Sequence, residues 1–492
     1  MSVHSKFCSQ TVVLEEPTLF ENSRAGACGY NISVTDVPKV NSKEFYKNFA
    51  RAKKTNLPEI SEPEVVRHFT RLSTWNYAID LGIYPLGSCT MKHNPRLNEE
   101  IARSPELCDL HPYDPIEWSQ GHLQVMHELE NDLKEITGLQ GVSLQPAAGA
   151  QGEFTGLMLI AAYHRHKGRK RKTIITADTS HGTNPASAAL AGFNIVQINT
   201  GKDGVVDAES VRAVLNDDVA ALMLTNPNTL GFFETNIPQI SALLKTVDAL
   251  LYIDGANMNA VLGISRPGDY GADVIQFNLH KTFTTPHGGG GPGSGPIAVS
   301  ERLIPYLPVP RIEKKADETF HLNYNSPKTV GRVKSFYGNF GMFIRAWCYI
   351  RALGADGLRG VSENAILNAN YIKSQLKDVL NIPVDGPHLH EVIFNDKNQK
   401  DSASGWDTTK IAKALIDHGM HPPTVHFPLC VKNALMIEPT ETETKQEMDR
   451  FIGAIKDILK SDSSVVHPQK VFRGKVDEVK AARELRLVAN GY

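Results

Sequence analysis

With 492 residues, 41% hydrophobic and 22% charged, the chain is long enough for about three globular domains, so core size sets no limit on it. Its 52 Lys and Arg residues against 54 Asp and Glu leave a formal charge of −2, which excludes a global field for nucleic acid or an anionic membrane surface, so any anion is bound locally. No apolar run approaches the roughly 18 residues of a transmembrane helix, and Met1 to Gln10 lacks the charged-then-apolar order of a secretory leader, so a cytoplasmic protein is expected.

The first 75 residues mix short apolar pieces with polar residues and carry Pro17, Pro38, Pro58 and Pro63, which reads as an extended arm. From Asp114 to Gly138 the residues Leu123, Met126, Leu129, Leu133 and Ile136 recur at helical spacing and predict one amphipathic helix. Helices and strands then alternate. A helix over Phe154 to His166 is followed by a strand at Thr173 to Thr176, a Pro/Ala-rich stretch at 185–192 and a strand at Asn194 to Ile198. Next come a helix over Val205 to Leu215, a strand at Ala220 to Leu224, a helix over Ile237 to Val247 and a strand at Ala249 to Ile253. Strands this short and apolar, separated by helices, predict an α/β fold with a mainly parallel sheet covered on both faces. In such sheets ligands sit at the carboxyl ends of the strands.

After Pro310 the chain is irregular to about Lys334, then helical over Gly341 to Leu353 and Ser362 to Leu380. A smaller α/β unit follows, with strands at Glu391 to Phe394 and Ala434 to Ile437 and helices over Thr408 to His418 and Thr442 to Leu459. The expected organisation is an N-terminal arm at 1–75, a large domain at 76–335, a small C-terminal domain at 336–472 and a charged surface tail at 473–492. Repeats and low-complexity segments are not evident. Cys8, Cys28, Cys89, Cys108, Cys348 and Cys430 are scattered without a CxxC pair, and read as reduced thiols.

Chemistry concentrates where strands end. Asp254 closes the strand ending at Ile253, and Lys281 follows 27 residues later in Asn278-Leu279-His280-Lys281-Thr282. Alone, Asp254 also reads as a turn or helix cap and Lys281 as a surface lysine. Together they fit pyridoxal 5'-phosphate, which needs a lysine amine for its Schiff base and an acid facing the pyridinium nitrogen. The glycine-rich run Gly288 to Gly295 lets backbone approach a ligand, or is a plain flexible loop. Ala148, Gly149 and Ala150 precede the Phe154 helix, where free N–H groups suit a phosphate. No GxxxxGK[ST] occurs, which disfavours nucleotide hydrolysis. His181 follows a strand and is placed to stack on a planar cofactor or move a proton, or is a hydrogen-bonded loop histidine. Asn226 in Thr225-Asn226-Pro227 is placed to reach a cofactor oxygen, or marks an Asn-Pro turn.

With these residues stand Phe20 to Arg24, Tyr84-Pro85-Leu86-Gly87-Ser88-Cys89-Thr90-Met91-Lys92-His93-Asn94-Pro95, Ser180 to Ala188, Asn278 to Phe283, Pro286-His287, Arg332 and Phe336 to Gly341. Over about residues 15 to 470 the chain resembles the glycine cleavage system P-protein family, in the half that carries pyridoxal phosphate in its split members. Ala25 and Ala27-Cys28 depart from the family pattern without touching the chemistry. The resemblance implies a fold-type I pyridoxal enzyme in which Lys281 binds the cofactor, Asp254 faces the ring nitrogen and His181 stacks on the ring. It further implies glycine as substrate, carbon dioxide as a product, a lipoylated H-protein as acceptor, a companion subunit 1 and a two-plus-two heterotetramer.

Other readings start from the same residues. Another fold-type I enzyme, an amino-acid decarboxylase or an aminotransferase, shares Asp254 and Lys281; a non-catalytic scaffold subunit would not need them. Cys89 reads as an inert thiol, and the basic run His164 to Lys172 as a solvated helix end rather than a nucleic-acid patch. His164 with His166, His388 with His390, and His418 with His421 and His426 lack acidic or cysteine partners at metal-ligand spacing, so no metal is expected.

Overall fold

Alternating short apolar strands and helices bury their shared face as a seven-stranded sheet in the computed structural model, which describes residues 16–30, 33–34, 36–53, 55–288, 291–401, 404–471, 476–485 and 487. Met1 to Gln10, Cys8, Gly289 and Gly290 lie outside the described residues. The chain divides into two compact units, one from Met1–Leu81, Ile416–Gly419 and Val466–Tyr492, the other from Gly82–Leu415 and Met420–Val465.

The first unit departs from the extended arm expected for its N-terminal part by containing a 12-residue helix, Glu62–Ser73. Its start is specified locally: Ser61 and Glu64 form a reciprocal capping box and Pro63 sits in the first turn. Proline content alone concealed this helix, because proline is compatible with a helix start. Glu16 ties the arm to that helix by accepting from Arg71 at 3.2 Å.

In the second unit the strands are β1 (Gly141–Ser143), β2 (Thr173–Ala177), β3 (Asn194–Ile198), β4 (Val219–Thr225), β5 (Leu250–Asp254), β6 (Val274–Gln276) and β7 (Ile297–Val299). Their order is β1-β7-β6-β5-β4-β2-β3. The neighbours from β3 to β6 run parallel, and β7 is antiparallel to both β6 and β1. The central strands β4 and β5 are buried on both faces, with one core containing Leu222, Leu224, Leu251 and Ile253 and another containing Ala221, Met223, Leu250 and Tyr252. This accounts for their unbroken apolar runs. The β3 strand is an edge, and its Ile195 is exposed. The stretch expected only as Pro/Ala-rich forms the helix Thr183–Leu190.

The basic run closes the helix Gly149–His166, and Arg165, His166, Lys167, Lys170 and Lys172 are exposed, as expected of a solvated helix end, while three of its members turn inward. His164 is buried with Nε2 2.9 Å from the Ala220 carbonyl, Arg169 pairs with Asp248, and Arg171 donates to the carbonyls of Val219 and Val247. These side chains satisfy backbone oxygens and a carboxylate beside the sheet's strand starts.

A hairpin of β8 (Arg311–Lys314) and β9 (Phe320–Asn323) interrupts the stretch read as irregular. Beyond it, helical residues Phe340–Leu376 bend at Gly354, whose φ of 63° is left-handed and ends the first of the two predicted helices. A three-stranded antiparallel sheet follows, ordered β10 (Val392–Asn395), β12 (Ala434–Ile437), β11 (Thr424–Val425). Its core gathers Ile372, Phe394, Trp406, Leu435 and Phe451. Among the described residues, no helix is long and apolar enough to cross a membrane.

Candidate active site

The carboxyl ends of β2, β4, β5 and β6 open onto one cavity of about 230 Å³. Parallel pairing aligns those ends, so loops far apart in sequence share one rim. From them come His181, Thr225, Asp254 and Lys281, while Gly149 and Ala150 enter from the loop after β1.

Asp254 is the last residue of β5 and is buried. Its Oδ2 accepts from Asn184 Nδ2 at 2.9 Å, and its Oδ1 accepts from Gln276 Nε2 at 2.6 Å and Ala256 N at 3.0 Å. Three fixed N–H donors orient the carboxylate and leave acceptor lone pairs for a ligand donor. Lys281 lies on a turn after β6, closed by its own N–H to Asn278 O at 3.1 Å and by Thr284 N to its carbonyl at 3.2 Å. Its Nζ donates to Ser88 O at 2.7 Å.

His181 also lines the cavity, with Nδ1 2.7 Å from Thr183 Oγ1. Burial lowers its pKa, helped by Lys281 and opposed by Asp254, which favours a neutral ring. Thr183 Oγ1 donates to Glu153 Oε1 at 2.7 Å. Glu153, which sequence reasoning missed, lines the cavity, and burial with the nearby Asp254 raises it to about 7.

The helix Gly149–His166 begins at the cavity, with Ala148 as its N-cap and Gly149 and Ala150 on the lining. A Cβ at Gly149 would stand 2.5 Å from Asn278 Oδ1, a buried oxygen that has no hydrogen-bond partner among the described residues. Glycine is therefore required for this close approach, and the first turn's free N–H groups stay open to an anion. Replacing Gly149 by Ala is expected to weaken phosphate-dependent cofactor binding at least about tenfold, since losing even about 1.4 kcal/mol of binding energy has that effect. Titrating the variant with pyridoxal phosphate checks this. Gly295 is similarly close-packed, with a Cβ there 2.2 Å from Ala148 O. Its part of the glycine run is thus backbone packed on the helix start rather than a plain loop.

Asn226 is not on the lining. Its Oδ1 accepts from Glu234 N at 3.0 Å and its Nδ2 donates to Tyr270 Oη at 3.3 Å, while its neighbours Thr225 and Pro227 face the cavity. The cavity thus presents a lysine amine, a carboxylate held by three donors, a histidine with lowered pKa and an open helix start. This set fits pyridoxal phosphate in charge and chemistry.

The loop Tyr84 to Asn94 closes the lysine side. Leu86 bridges Ile437 of β12, Thr424 Oγ1 donates to Gly87 O at 2.9 Å, and Asn94 Nδ2 donates to Thr284 O at 2.6 Å. Ser88 and Thr90 both have left-handed backbones, with φ of 63° and 49°. Their amides donate to Glu391 Oε2 at 2.8 Å and Glu438 Oε2 at 3.1 Å. Burial pushes the Cys89 thiol up, in keeping with an inert thiol. Of the three histidine groups, among the described residues, His390 alone comes with acidic oxygens: its ring nitrogen and one oxygen each of Glu391 and Glu438 lie within 4.8 Å of one another. Spacing along the chain could not reveal this, because Glu438 is distant in sequence. Both Glu438 oxygens already accept hydrogen bonds, from Thr90 N and Asn257 Nδ2.

The family model described as "Glycine cleavage system P-protein" matches residues 31–319, and "Glycine dehydrogenase, C-terminal domain" matches residues 361–480. A protein of Caldanaerobacter subterraneus subsp. tengcongensis named "Probable glycine dehydrogenase (decarboxylating) subunit 2" is 51% identical, covering 94% of this chain and 97% of its own. A protein of the same name from Listeria innocua is 48% identical over 96% of this chain and 98% of its own. In fold, the chain is similar to the crystal structure of an inhibitor-bound glycine decarboxylase (P-protein), with a TM-score of 0.70 at 20% identity over 87% of this chain and 100% of that one. It is also similar to a Lactobacillus brevis glutamate decarboxylase, with a TM-score of 0.65 at 13% identity over 88% and 96% of the two chains. These likenesses extend through the cavity and both of its sheets, and the chain belongs to the glycine cleavage system P-protein family.

Proposed function

We propose that this chain is the pyridoxal-phosphate half of a split glycine decarboxylase, releasing carbon dioxide from glycine and passing the remaining aminomethyl carbon to the lipoyl disulfide of a carrier H-protein. The observation that carries the reading is the meeting of Lys281, Asp254, His181 and the Gly149 helix start in one cavity. Pyridoxal phosphate supplies, when bound, the electron sink that decarboxylation requires. The protein's own groups do the rest. Asp254, fixed by Asn184, Gln276 and Ala256, holds a proton opposite its carboxylate. Lys281 would hold the cofactor through its amine, and His181, favoured neutral on the cavity lining, would help keep water out of it.

Among the described residues, no arginine lines the cavity. That favours decarboxylation over transamination, since a transaminase grips the substrate carboxylate whereas a decarboxylase must let it leave. The intact set of cofactor groups argues equally against a scaffold subunit.

A companion subunit, in a two-plus-two heterotetramer, is part of the proposal, supported by the arm. Val34, Phe45, Phe49 and Leu57 are each more than two thirds exposed, apolar side chains that a partner can cover. The five cysteines among the described residues are all free, which suits a reducing cytoplasm. The test is exchange of labelled carbon dioxide into glycine by this chain with its companion and lipoylated H-protein. Exchange that needs both subunits is expected; none under any condition, from a chain that binds the cofactor through Lys281, would redirect the assignment to another amino acid.

A further inference from the structure

We propose that Glu391 is the acid that protonates the sulfur released when the acceptor disulfide opens, and that Glu438 is the positioning residue that keeps a proton on it. The inference rests on the glycine and disulfide reading above. Its starting point is register. Val392 on β10 pairs antiparallel with Ile437 on β12, so Glu391 and Glu438 stand opposite one another one step beyond the last pair. Like charges directly across a sheet are unfavourable, and here both side chains are fully buried.

Glu391 lines the cavity beside Lys281, Ser88 and His390, while Glu438 is not on the lining. Amides hold both carboxyls in place, Ser88 N on Glu391 and Thr90 N on Glu438, with Asn257 Nδ2 on the other Glu438 oxygen at 2.9 Å. The loop bearing those amides keeps left-handed backbone at two non-glycine residues, so the arrangement is maintained against conformational preference. The charged and titratable groups around the pair are Lys281 from the lysine turn, His390 from the same segment as Glu391, Cys89 from the loop that bears the two amides, its thiol kept protonated by burial, and the Lys92–Glu441 ion pair beside Glu438. Lys92 is already matched by Glu441 at 2.8 Å. His390 is kept neutral by burial, which pushes it down to about 3, and its buried Nδ1 has no partner among the described residues. Among the described residues, Lys281 is the cation without an acidic partner that faces both carboxylates, and one positive charge does not balance two negative ones, so one carboxyl retains a proton. Burial drives Glu391 well above the usual carboxylate range and Glu438 to about 7.

The reaction has a use for that proton. Glu391 carries its proton when the turnover starts; glycine arrives as an ammonium and sheds a proton before its amine can react, and that proton replaces the one Glu391 gives up. After carbon dioxide leaves, the remaining carbon forms a bond to one sulfur of the cyclic disulfide, the S–S bond breaks, and its electron pair departs on the second sulfur. Glu391 gives its own proton to that sulfur, forming a thiol, and the proton shed by glycine's ammonium restores it. Atoms, electrons and protons balance with no further reactant.

The test compares the wild-type complex with E391Q and E438Q, holding pyridoxal phosphate and lipoylated H-protein. Free thiol formed from glycine is measured against pH. For wild type, thiol formation should fall as pH rises through the pair's titration at about 7 and above, because a carboxyl with raised pKa is a donor only while protonated. E391Q should lower it by about 10²-fold or more and abolish that limb, while cofactor absorbance stays as in wild type. E438Q should move the limb to lower pH, since Glu391 loses the neighbouring negative charge that raises its pKa. Independently of activity, infrared spectra of the cofactor-free chain at neutral pH should contain a protonated-carboxyl band that E391Q removes. Wild-type thiol rates and pH profile in E391Q would overturn the proposal, as would a carboxyl band unchanged in that variant. So would a divalent metal bound at one per chain by wild type and lost in E391Q. If the wild-type complex forms no thiol while the band behaves as expected, the donor role falls together with the disulfide reaction, whereas failure confined to E391Q leaves the reaction standing.

Discussion

Lys281→Ala is expected to eliminate turnover, by roughly 10³-fold or more, together with the visible absorbance of lysine-bound cofactor, while the fold survives. The separation follows from what the side chain does. Among the described residues its side-chain hydrogen bond is from Nζ to Ser88 O, and a single bond of this type contributes about 0.5–1.5 kcal/mol net. The turn that places it is held by main-chain groups, the 281 amide on Asn278 O and the Thr284 amide on the 281 carbonyl. Alanine keeps both. Thermal melting of the cofactor-free variant should therefore stay within a few degrees of wild type. Exchange of labelled carbon dioxide into glycine at the wild-type rate would remove Lys281 from the chemistry.

Much of the large sheet was legible because its strands are long enough to carry a pattern. The Asn194–Ile198 strand was read to the residue, and Val219–Thr225 and Leu250–Asp254 to within two at each end. The strands β1, β6 and β7 were not foreseen. Each has three residues, too few for a periodic signal, and their identity comes from pairing across the sheet, as in Val274 with Val299. The same holds for the two-residue β11.

The site divides along the same line. Lys281 was singled out only together with Asp254, because the strand before it, β6, was not foreseen, whereas Asp254 and His181 stand at the ends of legible strands, and the carboxyl end of a parallel strand is where ligands gather. Asn226 met that criterion too, yet its side chain turns inward to Glu234 N and Tyr270; position at a strand end does not determine which way a residue faces. Glu391 and Glu438 carried no such cue. They meet through the β10–β12 register, and their hydrogen bonds reach back to a loop about 300 residues earlier in the chain. The buried Lys92–Glu441 pair was invisible for the same reason.

Asp254→Asn should retain cofactor but lose decarboxylation by about 10²-fold or more, and here the surroundings sharpen the expectation. The wild-type carboxylate meets three donors, Asn184 Nδ2, Gln276 Nε2 and Ala256 N. An asparagine amide has only one oxygen to offer them, so its NH₂ group must face at least one N–H. Either Asn184 or Gln276 can flip its own amide to relieve this. The Oδ1 side meets two donors, Gln276 Nε2 and Ala256 N, and the Oδ2 side meets Asn184 Nδ2, so the new amide nitrogen takes the Oδ2 place and relief should fall on Asn184. An unrelieved buried donor would cost about 1–3 kcal/mol. The stability loss should accordingly be small and be made worse by Asn184→Ala less than additively. The catalytic loss has a different origin: a neutral amide no longer favours a proton on the facing ring nitrogen, so the bound ring accepts electrons poorly. The observations that decide the matter are the cofactor-to-chain ratio and the carbon dioxide exchange rate in the same preparation. Full occupancy with wild-type exchange would show that Asp254 is not the group that makes the ring an electron sink.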